Sequence, residues 1–180
     1  MYFDQFPVIF YDAVGNTDPK VVTHLLKRVA LHSKARAVTA LYDTYDVRNG
    51  DTPEMIAHKY YGDAEYHWVI LLVNNITDRY HQWPMNTRQF LAHLAERYEN
   101  VDGVHHYEIN QVSGDTSVKI NIGTSNLDEN GDTISSATLI TNREYEESKQ
   151  DTLRRIRLLD PSYLEQFVED FERLIAEAEG

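Results

Sequence analysis

The sequence predicts an α+β protein, in which helices and a small antiparallel sheet occupy successive stretches of the chain. Apolar residues recur at helical spacing before residue 100, alternate with polar residues from Val101 to Ile140, and return to helical spacing after Pro161. The 180 residues are enough for one modest domain or two small ones. Because the chain has no cysteine, its fold depends on hydrophobic packing rather than on disulfides.

The first predicted segment, residues 1–40, is an aromatic N-terminal arm followed by a helix. Asp18-Pro19 has the residue types of a helix start, because aspartate caps a helix and proline fits its first turn. The apolar residues that follow at positions i, i+3, i+4 and i+7 are Val22, Leu25, Leu26 and Val29. We therefore expect an N-terminal helix with one face toward the core.

The second predicted segment, residues 41–100, begins with a strand and a helix. Tyr45 and Val47 alternate with polar residues, as in a half-buried strand. Thr52-Pro53-Glu54 combines a hydroxyl cap, a proline at the first helical position and a carboxylate near the positive end of the helix dipole. Gly62 is the residue type that ends such a helix.

Two more helices are predicted in this segment. The run Trp68–Val73 is apolar on every side, which predicts a buried helix. After Trp83-Pro84, a helical stripe covers approximately residues 87–98. The order of this part is therefore strand, helix, helix, with a further helix behind.

The third predicted segment, residues 101–180, begins with a small antiparallel sheet. Ser113-Gly114-Asp115 and Asn130-Gly131 are turn signals that separate its strands. The alternating apolar positions are Tyr107 and Ile109, then Val118, Ile120 and Ile122, then the run from Ala137 to Ile140.

A C-terminal amphipathic helix closes the third segment. Asp160-Pro161 is its predicted start. Its apolar stripe consists of Leu164, Phe167, Val168, Phe171, Leu174 and Ile175. Such a helix needs a partner surface, either in its own chain or in another protein.

The charge of the chain restricts its partners. Seventeen basic and twenty-nine acidic residues give a net charge of −12, which repels nucleic acid and anionic membrane surfaces. The N-terminus has no basic region or cleavage site of a signal peptide, and the longest apolar run is far shorter than the ~20 residues of a spanning helix. We expect a soluble protein that binds neither nucleic acid nor membrane.

The sequence carries no recognisable catalytic, metal or cofactor motif, so we predict that the protein is not an enzyme and has no cofactor. Asp128, Asn130 and Asp132 have the opening spacing of a calcium loop, but Leu139 stands at the twelfth position where a bidentate glutamate is required. The adjacent pair His105-His106 is expected to point to opposite faces of a strand, so it cannot hold one metal.

The stretch from Tyr45 to Ile76 resembles a LysM domain. The matching residues are Tyr45 and Val47, Gly50-Asp51-Thr52, Ile56-Ala57, Tyr60 and Asn74-Asn75-Ile76. That family binds N-acetylglucosamine polymers such as peptidoglycan, and it closes its sheet with a second strand, whereas here the following stretch is predicted to be helical. The missing strand disfavours glycan binding, which stays the alternative function.

A longer resemblance covers nearly all of the chain. The sequence resembles baseplate wedge subunit fifty-three of contractile-tailed phages. Its most specific parts are Tyr42 to Arg48, Tyr61-Gly62-Asp63, His67-Trp68, Val73 to Asp78, and Arg155 to Leu159 with Pro161.

This resemblance implies a structural protein of the virion tail baseplate, assembled in the host bacterial cytoplasm. The family binds other wedge proteins and helps to join wedges into a ring, which implies several copies in a six-fold baseplate. It has no catalytic role, so no active site is implied.

Candidate interface residues are those that dominate protein contacts, namely aromatic residues, arginines and the C-terminal stripe. They are Phe3, Phe6, Arg28, Arg36, Arg154, Arg155, Arg157, Leu158, Leu159, Leu164, Phe167 and Phe171. We expect the C-terminal members either to contact a partner or to stabilise the block that does.

Overall fold

The computed structural model describes residues 6–15, 17–26, 39–113 and 116–177. The chain divides into two compact units. Unit 1 comprises Met1–Trp83 and Arg155–Gly180, and unit 2 comprises Pro84–Arg154. Unit 2 therefore lies, in sequence, between two parts of unit 1. The predicted division into segments 1–40, 41–100 and 101–180 stays a prediction.

The described residues form seven strands and six helices, so the α+β class is confirmed. The strands are β1 (Val8–Tyr11), β2 (Lys20–Thr23), β3 (Tyr42–Asp46), β4 (Val104–Ser113), β5 (Thr116–Gly123), β6 (Thr138–Thr141) and β7 (Arg155–Leu159). The helices are α1 (Pro53–Tyr61), α2 (His67–Val73), α3 (Arg79–Gln82), α4 (Thr87–Arg97), α5 (Asn142–Arg154) and α6 (Leu164–Glu177).

The N-terminal part of unit 1 is a β-hairpin, not the predicted helix. Strands β1 and β2 pair antiparallel, with Phe10 opposite Val21. The prediction of a helix from Asp18-Pro19 is wrong over Lys20–Thr23, because the β-branched residues there favour an extended strand once a partner strand is available. Leu25 and Leu26 of the predicted stripe lie in a turn after β2, and Val29 lies outside the described residues.

Unit 1 is centred on a second two-stranded sheet, β3 with β7. The pairing is antiparallel and runs from Tyr42 opposite Leu159 to Asp46 opposite Arg155. These strands are more than a hundred residues apart in the numbering, so no local pattern could have indicated their pairing. Helices α1 and α2 follow β3, which confirms the predicted order of strand, helix, helix.

The ends of α1 confirm the predicted start and stop signals. The Thr52 hydroxyl accepts a hydrogen bond from the backbone N–H of Met55, at 3.3 Å, and Pro53 occupies the first turn. Gly62 ends the helix in the left-handed conformation, with φ of 85°, which glycine adopts without steric cost.

The apolar core of unit 1 consists of two clusters. In the first, Trp68 of α2 packs against Phe171 of α6, with ring centroids 4.5 Å apart, beside Phe6 and Leu159. The second cluster joins α1 and α2 to the β3–β7 sheet. Its buried members are Val47, Ile56, Ala57, Ile70, Trp83, Ile156 and Leu158. The predicted burial of this run is confirmed for Trp68, Val69, Ile70 and Val73.

Unit 2 consists of the three-stranded antiparallel sheet β5-β4-β6 together with α4 and α5. The sheet predicted for this region is thus confirmed. Helix α4 begins with a capping box, in which Asn86 and Gln89 exchange side-chain and backbone hydrogen bonds. Among the described residues of unit 2, the buried side chains are Leu94, His106, Glu146 and Gln150, of which only Leu94 is apolar.

Candidate interaction surfaces

The β1–β2 hairpin exposes apolar side chains on both of its faces. Directly opposite residues share a face, so Val8, Phe10 and Val21 lie on one side. They are 63%, 78% and 61% exposed. Tyr11 and Val22, on the other side, are exposed as well. Apolar surface concentrated in this way marks an interaction site more often than scattered exposed residues do.

The turn of this hairpin is held by one carboxylate. Asp12 accepts hydrogen bonds from the backbone N–H groups of Val14, Gly15 and Thr17, at 3.2, 2.7 and 2.8 Å. These bonds engage three backbone N–H groups of the turn, and the Val14 side chain is 80% exposed. The base of the hairpin is fixed by Phe6, which is buried in the first core cluster of unit 1.

The predicted arginine cluster divides between the two units. Arg155 and Arg157 lie on β7 in unit 1 and are exposed, because they alternate with the buried Ile156 and Leu158. Arg154 ends α5 in unit 2 and forms an ion pair with Asp151 at 3.1 Å. Phe3, Arg28 and Arg36 lie outside the described residues.

Most apolar members of the predicted interface are core residues. Phe6, Leu158, Leu159 and Phe171 are buried in unit 1. Leu164 and Phe167 are half-buried and pack against the first cluster. These six side chains stabilise the unit. The sequence missed the exposed apolar residues of the hairpin because it assigned β1 to an arm without a defined structure and β2 to a helix.

The aromatic residues of α1, α2 and the following loop are largely occupied within unit 1. The indole N–H of Trp83 donates to the Asp51 carbonyl at 2.9 Å, and Trp68 is only 7% exposed. The Tyr61 hydroxyl donates to the Leu159 carbonyl at 3.1 Å, and burial raises the pKa of Tyr61. Tyr80, by contrast, is exposed.

The interior of unit 2 is organised around Glu146. Its carboxylate accepts hydrogen bonds from the Tyr98 hydroxyl at 2.8 Å and from Lys149 at 3.2 Å, and Arg97 and His93 lie within 3.6 Å. Burial alone would raise the pKa of Glu146, but the bond from Tyr98 and the cations outweigh it, so the pKa lies below its ordinary value. The buried carboxylate is therefore charged.

The side chains of His105 and His106, which are adjacent on β4, lie close together. Their Nδ1 atoms are 2.7 Å apart, and the His106 Nε2 lies 3.1 Å from Glu108. The prediction that they point to opposite faces is wrong because the strand has an irregularity between Val104 and His106, which changes the side-chain alternation. His105 stacks on Tyr145, and burial together with the neighbouring His106 lowers the pKa of His105.

Neither predicted metal candidate gathers a ligand set. Asp128 accepts hydrogen bonds from the backbone N–H groups of Asn130 and Asp132, so it serves the turn of its own loop. Within the described ranges, no three histidine or carboxylate side chains are grouped so as to hold a metal ion. In the same ranges, no helix has the length and apolar character needed to cross a membrane.

Comparison with known proteins gives two findings. A family described as Base plate wedge protein 53 matches residues 1–122. The chain is also similar to "Baseplate wedge protein gp53" of Enterobacteria phage T4, with 26% identity over 106 residues, which is 57% of this chain and 54% of that protein. The chain thus spans about half the length of this relative.

Proposed function

The chain belongs to the base plate wedge protein 53 family, and from this premise we propose that it is a structural component of a phage tail baseplate and acts by binding other wedge proteins. The observation that carries the proposal is the family match over residues 1–122. Several copies in a six-fold baseplate, joining neighbouring wedges, are part of the same proposal. No catalytic step is involved.

The architecture of unit 1 supports a scaffold role within this proposal. Two apolar clusters fix α1, α2, α6 and the β3–β7 sheet to one another. A packed core of this kind holds surface groups in fixed positions. The side chains proposed to bind partners are those that this scaffold leaves outside its core, including Arg155 and Arg157.

We further propose that unit 1 is a LysM-like domain. Strand β3, helices α1 and α2, and strand β7 follow one another in the order strand, helix, helix, strand, and the two strands pair antiparallel. The second strand that the local sequence lacked is supplied by Arg155–Leu159, after the whole of unit 2. This pairing is the feature that supports a LysM-like scaffold.

Reconstitution tests the wedge proposal. The full chain is mixed with each purified wedge protein of the same phage, and the masses of the products are measured by native mass spectrometry. We expect at least one stable complex. A chain that stays free with every wedge protein, singly and together, would contradict the proposal.

A charge variant tests whether the β7 arginines contribute to binding of the wedge protein. Arg155→Gln with Arg157→Gln should weaken the complex, whereas Arg88→Gln with Arg173→Gln removes the same charge from exposed helical positions and should not. Equal affinities of the two double variants for the wedge protein would show that the β7 arginines do not contribute to binding. A deletion of the C-terminal part is unsuitable, because it would remove β7 from the core sheet.

Peptidoglycan binding remains a second candidate because β7 completes the strand pair of a LysM-like domain. The burial of Trp68 and Trp83 argues against it, since aromatic residues that stack on sugars must be accessible. Co-sedimentation with insoluble peptidoglycan at moderate salt distinguishes the two. We expect the chain to stay in the supernatant, and sedimentation with the wall would favour glycan binding.

A further inference from the structure

The β1–β2 hairpin exposes apolar side chains that the described residues of the chain do not bury. Six strand residues are apolar, three on each face, and none of them is buried. They are Val8, Phe10 and Val21 on the first face, and Ile9, Tyr11 and Val22 on the second. An isolated two-stranded hairpin is marginally stable in water, so this element gains most from a partner that surrounds it.

The hairpin is nevertheless held in a defined position. Phe6 anchors its base in the core of unit 1, and the His24 N–H donates to the Pro7 carbonyl at 2.8 Å, which closes the pair of strands at that end. At the other end, Asp12 fixes the turn through the three backbone bonds described above. The element is a preformed arm, and this reduces the conformational entropy lost when it binds.

We infer that this arm inserts into an apolar cleft of another baseplate protein, with both faces of the hairpin enclosed. The inference rests on the proposed function, which supplies the class of partner. It adds the surface that is used and the shape and chemistry of the partner's site.

The charge of the arm fits an apolar cleft. Among the residues of β1 and β2, only Lys20 is charged, although the whole chain has a net charge of −12. A partner that recognised the two strands by ion pairs would find only Lys20 to pair with. An uncharged, apolar lining matches it, and burial of apolar surface then drives the association.

The area of the arm argues against a second copy as the occupant. One face of four paired residues measures about 13 Å by about 10 Å, from a rise of about 3.3 Å per residue and a strand spacing of about 4.8 Å. A stable interface buries roughly 800 Å² per partner. Face-to-face pairing of two arms would bury far less, would leave each second face in water, and would bring together two chains of net charge −12.

A pair of double variants tests the enclosure. Phe10→Thr with Val21→Thr alters the first face, and Ile9→Thr with Val22→Thr alters the second. Threonine is β-branched and favours strands, so the hairpin should persist. The matched control is Val112→Thr with Val118→Thr, which changes two exposed strand valines of unit 2. Circular dichroism and tryptophan fluorescence check that each variant is folded.

The affinity of each full-length variant is measured for the wedge protein that binds the wild-type chain. We expect both arm variants to weaken binding on the order of tenfold or more, and the control to bind as the wild type does. Hydrogen exchange should also show that the amides of β1 and β2 become protected in the complex.

Four results would overturn the inference. If both arm variants bind like the wild type, the arm is not used. If only one face matters, the partner offers a flat surface rather than a cleft. If the wild-type chain forms a dimer that the arm variants dissolve, the occupant is a second copy. If the wild-type chain binds no wedge protein at all, both the proposed function and the insertion of the arm are contradicted.

Discussion

The two compact units bury different kinds of side chain. Unit 1 packs Trp68, Phe171 and their apolar neighbours into two clusters. In unit 2, the buried described residues are Leu94 and three polar ones, with the charged Glu146 at the centre of a network. Apolar packing depends little on pH or on the exact orientation of the side chains, whereas a buried charge is stable only when each of its hydrogen-bond and ion-pair partners is in place. We therefore expect different perturbations to destabilise the two units.

The largest expected effect is the loss of a core aromatic residue in unit 1. Phe171→Ala removes the ring that packs 4.5 Å from Trp68 and leaves a cavity, which should cost about 3–5 kcal/mol of unfolding free energy. Both tryptophans of the chain lie in unit 1, so urea unfolding followed by tryptophan fluorescence reports on it. Leu174→Ala, at an exposed position of the same helix, is the control. A loss of less than about 1 kcal/mol would show that the cluster does not stabilise unit 1.

The matching change in unit 2 removes its buried carboxylate. Glu146→Ala leaves the Tyr98 hydroxyl and the Lys149 ammonium without their acceptor, which should cost about 1–3 kcal/mol. Amide hydrogen exchange in β4 and α5 should become on the order of tenfold faster. The neighbouring exposed Glu147→Ala should change little. Equal effects of the two variants would mean that the network does not hold unit 2 together.

Acidification should weaken unit 2 in two stages. The pKa of His105 lies below its ordinary 6.5, so the unfolded chain binds the proton first and stability falls as the pH drops below 6.5. The pKa of Glu146 lies below its ordinary 4.5, so its contribution is lost as the pH falls further. His105→Phe keeps a ring on Tyr145 and should flatten the first stage.

This pH dependence is measured by hydrogen exchange in unit 2, corrected for the intrinsic effect of pH on exchange. The groups that face His105 are His106, Lys149, Glu146 and Arg97, and they are unchanged in the His105→Phe variant. Identical pH profiles for the variant and the wild type would assign the first stage to another group.

The smallest expected effect concerns an ion pair on the surface of unit 1. Arg79 binds Glu54 through both guanidinium nitrogens, but the two side chains are 45% and 35% exposed. Arg79→Gln should therefore lower the unfolding free energy by less than about 1 kcal/mol. A loss of unfolding free energy as large as that of Phe171→Ala would show that unit 1 depends on surface charge as much as on apolar packing.

Local features of the fold were predictable from the sequence, whereas distant pairings were not. Thr52, Pro53 and Gly62 define the limits of α1 because capping depends on neighbouring residues alone. The pairing of β3 with β7 joins two strands that the whole of unit 2 separates in sequence, and no periodic pattern of residues indicates it. Strand β2 of the N-terminal hairpin was mistaken for part of a helix because Val22, Leu25 and Leu26 have helical spacing, although Val22 pairs with β1 in a strand.

The candidate interface was predictable only in part for a related reason. Aromatic and aliphatic residues are frequent both in cores and in interfaces, so composition did not separate the buried Phe6 and Phe171 from the exposed Phe10. The alternation in β7 could have separated the exposed Arg155 and Arg157 from the buried Ile156 and Leu158, since a strand with one buried face alternates.

The central claim is that unit 1 is a fixed scaffold and that surfaces outside its core bind other wedge proteins. Hydrogen exchange of the full chain, alone and in complex with a purified wedge protein, tests it most directly. We expect new protection on the exposed hairpin, Val8–Tyr11 and Lys20–Thr23, and unchanged slow exchange in α2 and the β3–β7 sheet. Unchanged exchange of the hairpin, with new protection confined to the core elements, would show that unit 1 does not act as a fixed scaffold.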